Sequence, residues 1–252
     1  MKAAPAQQRR LLDLADLDAE LARARHQLTQ LPEAARVAEV TEQLAVAEED
    51  VVRAEAAVAE MQRTYDATDE ELTGITEHAK RDQTQLDSGL LSHKALAELQ
   101  HELSGLELRR DVLESDLLEI MERQEALGME SERAQGTVLH HRELLAEAVT
   151  ARDHATATTE NTVTEFLSRR AAIADEVADD LLAVYDRLRE QGRVGAGLLR
   201  QRRCGACRME LDPRTLSAVA AAAEDEVVRC EECTAIMVRT EQSGLPTPGS
   251  GQ

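Results

Sequence analysis

Four cysteines stand near the C-terminal end of the sequence in two pairs, Cys204-Gly-Ala-Cys207 and Cys230-Glu-Glu-Cys233, with 22 residues between the pairs. A two-residue spacer lets one tight turn present both sulfurs to a single ion, and structural zinc sites are tetrahedral and rich in thiolate. The spacing therefore predicts one structural Zn2+ held by Cys204, Cys207, Cys230 and Cys233. Redox-active pairs or buried free thiols are the alternatives; two matched pairs and no other cysteine in the chain favour zinc. Four sulfurs close the coordination shell and leave no position for water or substrate. The metal's work is then to fold a domain too small for a good core. Between the pairs, Asp212-Pro213 supplies a helix cap and first helical position, so 214–223 reads as a short helix. Residues 197–203 and 226–229 read as strands entering the two cysteine knuckles.

Around the first knuckle lie Arg193, Arg200, Arg202, Arg203 and Arg208, with no acidic residue from 193 to 208. Two readings stay open. Arg200, Arg202, Arg203 and Arg208 form a phosphate-binding patch for RNA or DNA, or they offset the two negative charges of a zinc tetrathiolate. Residues 193–252 hold eight Arg against eight Asp plus Glu, so the whole net charge of −20 sits on residues 1–192. That charge repels nucleic acid along the rest of the chain. Residues 193–252 have no aromatic side chain on which a base could stack. Glu98-x-x-His101 has the spacing of a di-iron ligand pair but has no second copy, and it reads as solvated helix face. The remaining histidines, among them His26, His78, His140, His141 and His154, lie in polar helical stretches. Glycine-rich phosphate loops and nucleophile elbows are absent, so the expectation is a non-enzyme with no small-molecule substrate.

The elements that must carry the cysteines are helical. Of 252 residues only Tyr65, Phe166 and Tyr185 are aromatic, while 31% are charged and 42% hydrophobic, mostly Ala, Leu and Val. This is the composition of long helices or a coiled coil. From Leu14 the apolar residues run Leu17, Leu21, Ala24, Leu28, Leu31, in steps of three and four, a heptad seam. At Pro32 the phase slips and a kink or short break is expected. The seam resumes as Val37, Val40, Leu44, Ala47, Val51, Ala54, Val58, Met61, Tyr65, Thr68, Leu72 and Ile75. A helix that long with one apolar stripe needs a partner helix, from the same chain or from a second one, and the similar length of the two arms favours the same chain. A turn near 87–92, with Ser88 or Ser92 as cap, leads to a second seam through Leu96, Leu99, Leu103, Leu106, Arg110, Leu113, Leu117 and Ile120. The reading is an all-α fold: a long antiparallel coiled-coil helical hairpin over 1–192, kinked near Pro32, with a small C-terminal zinc ribbon of strands over 193–240 beside the N-terminus. Residues 241–252 read as a disordered tail. The Thr-rich stretch 146–162 reads as thin and mobile, after which firm packing resumes through Phe166 and Leu188 and the glycines from Gly192 end the helical region. Leu90, Leu91, His93 and Lys94 at the tip are the candidate protein contact, since apolar groups at an exposed turn want a partner. No stretch approaches the roughly 18–20 apolar residues of a membrane span, and the first residues carry no leader-like apolar run. The expectation is a cytoplasmic protein with no membrane partner.

Ser92-His-Lys-Ala-Leu-Ala-Glu-Leu-Gln-His-Glu-Leu103, Leu113-Glu-Ser-Asp-Leu-Leu-Glu-Ile-Met-Glu-Arg123, Tyr185-Asp-Arg-Leu-Arg189 and the two cysteine pairs together resemble the bacterial coiled-coil proteins with a C-terminal C4-type zinc ribbon, which include regulators of flagella and of type III secretion. Ala95 stands where that family usually has Glu. Thr234-Ala-Ile-Met-Val238 stands where Gly-Arg-Ile-Leu-Tyr is usual. The resemblance implies zinc on the cysteines and a regulatory adaptor or chaperone whose partners belong to transcription or secretion machinery. It also implies, as the alternative, a nucleic-acid-binding regulator working through the ribbon.

Overall fold

The structure, a computed structural model, describes residues 1–89 and 91–245. Its elements are α1 (Pro5–Thr29), α2 (Pro32–Asp87), α3 (His93–Ala174), α4 (Asp179–Glu190), β1 (Ala196–Arg200), β2 (Arg203–Cys204), α5 (Pro213–Ala221), β3 (Val228–Arg229), β4 (Ile236–Val238) and a 3-10 turn at Glu241–Ser243. The fold is a long helical hairpin with a small C-terminal strand region. The chain divides into two compact units: Pro32–Arg152, and Met1–Leu31 together with the chain from Asp153 onward.

Within Pro32–Arg152, α2 buries Val40, Ala47 and Ala54, each one heptad from the next. A seven-residue repeat keeps one face turned to a partner helix along the whole length, and α3 answers with Leu113, Leu117, Ile120, Ser131 and Val138. Hydrogen bonds cross between the arms from Arg109 to Glu71 (2.7 Å), Gln124 to Gln62 (3.0 Å), Gln135 to Glu55 (3.2 Å) and Arg142 to Glu48 (2.8 Å). Their order along α3 runs opposite to their order along α2, so the arms are antiparallel. α2 stops at Asp87, Gly89 takes φ +68° to turn the chain, and the Ala95 N–H donates to Ser92 Oγ at 3.3 Å as a helix cap. Glycine adopts that left-handed angle without the penalty a side chain brings.

The phase slip at Pro32 is a break between two helices. α1 ends at Thr29, and Pro32 opens α2, where its missing N–H would have had no partner in any case. α1 buries Gln8, Leu11, Leu14, Leu17, Leu21 and Ala24 on one face. The Thr-rich stretch lies inside the unbroken α3, and the hydroxyls of Thr150, Thr158, Thr159 and Thr162 donate to the carbonyl four residues earlier. The helical region runs to Glu190, just before Gly192, in two helices. α3 ends at Ala174, residues 175–178 turn, and α4 starts after Ala178 with Asp179 and Asp180 in its first turn and Arg187 and Arg189 in its last. That charge order suits the helix dipole at both ends.

The turn at 175–178 brings α4 back onto α1 and the strands. Leu11 and Leu14 of α1, Val177, Leu181 and Tyr185 around α4, and Ala196, Ile236 and Val238 of the sheet form one buried cluster. Packing therefore joins residues on both sides of 192. The N-terminus completes the junction: the Ala3 N–H donates to Asp225 O at 2.7 Å, the Val227 N–H to Met1 O at 3.1 Å, and buried Gln8 donates through Nε2 to Ala3 O (2.8 Å) and Glu224 O (3.2 Å).

Asp18 on α1 holds the polar side of this junction. One carboxylate oxygen accepts from Arg170 Nε at 2.8 Å and lies 2.9 Å from Arg189 Nε; the other accepts from the Tyr185 hydroxyl at 2.8 Å. Arg170 also donates to Asp186. Burial and the Asp18 carboxylate raise the Tyr185 pKa far above the ordinary phenol range, so it stays a donor at any physiological pH. Asp18 and Arg170 keep only 12% and 14% of their side chains exposed. Removing one partner of such a network leaves buried charge uncompensated, which costs about 3–5 kcal/mol, whereas one hydrogen bond to a charged group contributes about 1.5–3 kcal/mol. Asp18→Ala should thus destabilise the protein by more than Tyr185→Phe does. Urea titration of the two full-length variants reads that order directly, and equal losses would contradict the account.

Candidate metal centre

The ribbon is a four-stranded sheet in the order β2-β1-β4-β3. β1 pairs antiparallel with β2, β4 antiparallel with β3, and β1 with β4 in parallel through Ala196–Ile236, Gly197–Met237 and Leu198–Val238. Each hairpin carries one cysteine knuckle, and the two knuckles repeat the same hydrogen bonds. The Cys204 N–H donates to Met209 O (3.0 Å) and the Arg208 N–H to Cys204 O (2.7 Å); the Cys230 N–H donates to Ala235 O (2.9 Å) and the Thr234 N–H to Cys230 O (2.9 Å). The residue after each second cysteine closes its turn in the left-handed region, Arg208 at φ +63° and Thr234 at φ +63°. Close approach lets β1 lie against the first knuckle: a Cβ on Gly197 would meet the Ala206 backbone nitrogen at 2.4 Å, and one on Gly205 would meet Leu198 O at 2.5 Å.

These turns bring the four predicted ligands together. Cys204 Sγ lies 3.8 Å from Cys233 Sγ, Cys207 Sγ lies 3.9 Å from Cys230 Sγ, and all four sulfurs fall within 4.8 Å of one another. Ligands about 2.3 Å from a tetrahedral ion lie about 3.8 Å apart, so the set fits one structural Zn2+ with no open position. With no cation bound, burial pushes the Cys204 thiol up and the Cys233 thiol to about 12. Burial also acts on Cys207, but the Met209 N–H and the neighbouring sulfurs draw its thiol down. A divalent ion supplies the charge that makes all four thiolates. Leu199, Leu211, Val219 and Met237 bury the other side of Cys204 and Cys230.

The rest of the ribbon supports this centre. The Asp212 carboxylate caps α5 by accepting from the N–H groups of Arg214 (2.8 Å) and Thr215 (3.1 Å), the expected role. Arg239 was not foreseen as a functional residue. Its guanidinium donates to the carbonyls of Val219, Ala222, Ala223 and Glu226 at 3.1, 2.8, 2.6 and 2.7 Å, which gathers the end of α5 and the loop after it. No local sequence pattern signals such a clamp, because its acceptors are backbone atoms 13–20 residues away. Residues 241–243, placed in the tail by sequence, form the 3-10 turn capped by Thr240 with Ser243 buried; residues 246–252 lie outside the described residues.

Arg200, Arg202, Arg203 and Arg208 are all exposed. Arg200 and Arg203 face each other across the β1–β2 hairpin, whose two loop residues, Gln201 and Arg202, both take positive φ. Glu210 pairs with Arg203 as a β-bridge, and its carboxylate lies 4.0 Å from Arg202 Nε and 3.9 Å from Arg203 Nη2. Of the tip residues, Leu91 is half-buried, while His93 and Lys94 are exposed with Lys94 Nζ 3.8 Å from Glu98; Leu90 lies outside the described residues. Among the described residues, no convergent group of three or more His, Cys, Asp or Glu includes Glu98 or His101.

Metal analysis should return about one zinc for the four cysteines, and a strong chelator should melt the ribbon while most helical circular dichroism survives. Thr234→Gly should raise the stability of the zinc-loaded protein by roughly 1 kcal/mol, because a β-branched residue is strained at this φ. Chemical denaturation with zinc in excess measures it; a loss of stability would show that the Thr234 hydroxyl matters more than the strain.

Residues 14–193 match the CT398-like coiled coil hairpin domain, and residues 203–237 match the C4-type zinc ribbon domain. Mycobacterium tuberculosis Rv2229c, an uncharacterised protein, is 39% identical over 96% of this chain and 98% of its own length. Mycobacterium leprae ML1638, also uncharacterised, is 28% identical over 89% of this chain and 97% of its own. A solved structure from Mycobacterium smegmatis superposes with a TM-score of 0.83 at 37% identity, covering 95% of this chain and all of that one (100%). CT398 from Chlamydia trachomatis shares the fold, with a TM-score of 0.64 at 16% identity over 93% and 98% of the two chains. The two matched domains together span most of the sequence, and the chain belongs to the family of CT398-like coiled-coil hairpin proteins that end in a C4-type zinc ribbon.

Proposed function

We propose that the protein is a non-enzymatic regulatory adaptor or chaperone that holds protein partners through its coiled-coil hairpin and its zinc ribbon. The observation that carries this reading is the closed four-sulfur set, which suits a structural ion and gives a substrate no coordination position. The metal stiffens a small sheet that is already packed on α1 and α4, and such a unit presents a surface instead of a reaction centre. At the other unit's turn, exposed His93 and Lys94 beside Leu91 offer the hairpin's own contact. Components of transcription or secretion machinery are the partner class that the family resemblance suggests. The second reading, RNA or DNA on the ribbon, is supported by the exposure of Arg200, Arg202, Arg203 and Arg208 on one hairpin and its knuckle. Glu210 counts against it by taking part of that charge.

A pull-down from native cell extract, with and without nuclease, separates the two. Protein retained after nuclease and lost from a Leu91→Ala, His93→Ala, Lys94→Ala variant supports the adaptor. Material lost on nuclease treatment points to nucleic acid. A gel shift then tests the Arg patch: binding at ~50 mM salt that weakens steeply with added salt and vanishes in the fourfold Arg→Ala variant is the result that version requires.

A further inference from the structure

The seam of α2 repeats every seven residues through Val40, Ala47, Ala54, Met61, Thr68 and Ile75, and the next position is Asp82. A carboxylate therefore occupies a place where the hairpin elsewhere puts apolar or small side chains. Asp82 is only 8% exposed, and its Oδ2 is buried with no hydrogen-bond partner. An unpaired buried carboxylate is costly unless something of opposite charge meets it. Among the described residues no Lys or Arg pairs with it.

What does face Asp82 is a ligand set. His78, one turn earlier on α2, places Nε2 3.4 Å from Asp82 Oδ2, and the same nitrogen lies 3.7 Å from Glu102 Oε1 on α3. The three ligand atoms fall within 4.8 Å of one another. These separations are too long for hydrogen bonds, which lie at roughly 2.7–3.2 Å. They are close to the roughly 3.3–3.6 Å between ligands that each sit 2.0–2.2 Å from a tetrahedral ion. One imidazole and two carboxylates suit a first-row transition ion better than Mg2+ or Ca2+, which take oxygen alone. His78 and Glu102 keep 43% and 52% of their side chains exposed, so solvent can reach the rim and supply a fourth ligand.

We propose that His78, Asp82 and Glu102 form a second divalent transition-metal site, of the Zn2+ class, that ties α2 to α3 close to the hairpin turn. The ion neutralises Asp82 and bridges the arms, holding in register the turn that carries Leu91, His93 and Lys94.

The test is calorimetric titration of ZnCl2 into full-length protein whose cysteine site is already zinc-loaded. A further equivalent should bind and raise the melting temperature. His78→Ala and Glu102→Gln should weaken that step by at least the roughly 10- to 100-fold that loss of a mere supporting group costs, with the cysteine-bound zinc retained. Asp82→Leu should abolish the step while melting higher than the metal-free parent, since an apolar residue suits the seam, so failure to fold cannot mimic the result. No further equivalent, or one bound as tightly by His78→Ala, would overturn the site. So would a melting temperature that does not respond to added ZnCl2.

Discussion

Strands of two to five residues cannot bury a core by themselves, and that constraint organises the C-terminal part of the molecule. A small domain hides too little of its surface to offset the entropy of ordering it. The ribbon meets the shortfall on both faces. On one, four sulfurs converge on a single tetrahedral position; on the other, Ala196, Ile236 and Val238 sink into the side chains of α1 and α4. The parallel pairing of β1 with β4 links the two solutions, because it sets the knuckles side by side and also aligns the residues that face the helices. Gly195 belongs to the same arrangement: a Cβ there would meet the Tyr185 ring at 2.5 Å, so strand and helix approach more closely than any side chain permits.

The Asp18 network and the Leu11–Leu14 face join α1 to the strands and α4 through contacts separate from the four sulfurs. Met1–Leu31 is thereby a structural part of the ribbon unit despite lying far from it in sequence. The family match that ends at residue 193 and the packing that crosses it describe two properties, one the extent of a sequence pattern and the other the extent of a core.

The readable features were those carried by local spacing. Two-residue cysteine spacers, a seven-residue apolar repeat and a Pro at a phase slip are each complete within a few turns of chain, and zinc ligands, hairpin and helix boundary follow from them. Partners set by tertiary structure were invisible. Asp18 meets Tyr185 across 167 positions, and Arg239 binds carbonyls that no pattern marks. The turn at 175–178 was missed because it contains neither Pro nor Gly, and the apolar rhythm on either side looks continuous. The Arg cluster was legible as a composition, but Glu210 lies just beyond the window in which no acid was seen, and a β-bridge folds it back.

The hairpin seam poses a separate question of specificity. Ala47, Ala54, Ser131 and Ala148 are among its buried residues, and small side chains interlock weakly, so apolar packing alone discriminates poorly between neighbouring registers. The hydrogen-bonded pairs Arg109–Glu71, Gln124–Gln62, Gln135–Glu55 and Arg142–Glu48 between the arms are exposed, and such contacts contribute a fraction of a kcal/mol each. A group that tolerates only one partner position fixes register more sharply. A buried polar residue in a coiled coil does this at a cost in stability, since every shifted register leaves it unpaired. Bridged to His78 and Glu102 by the proposed ion, Asp82 is such a group, and its place near the turn sets the first pairing, from which the later contacts along both arms follow.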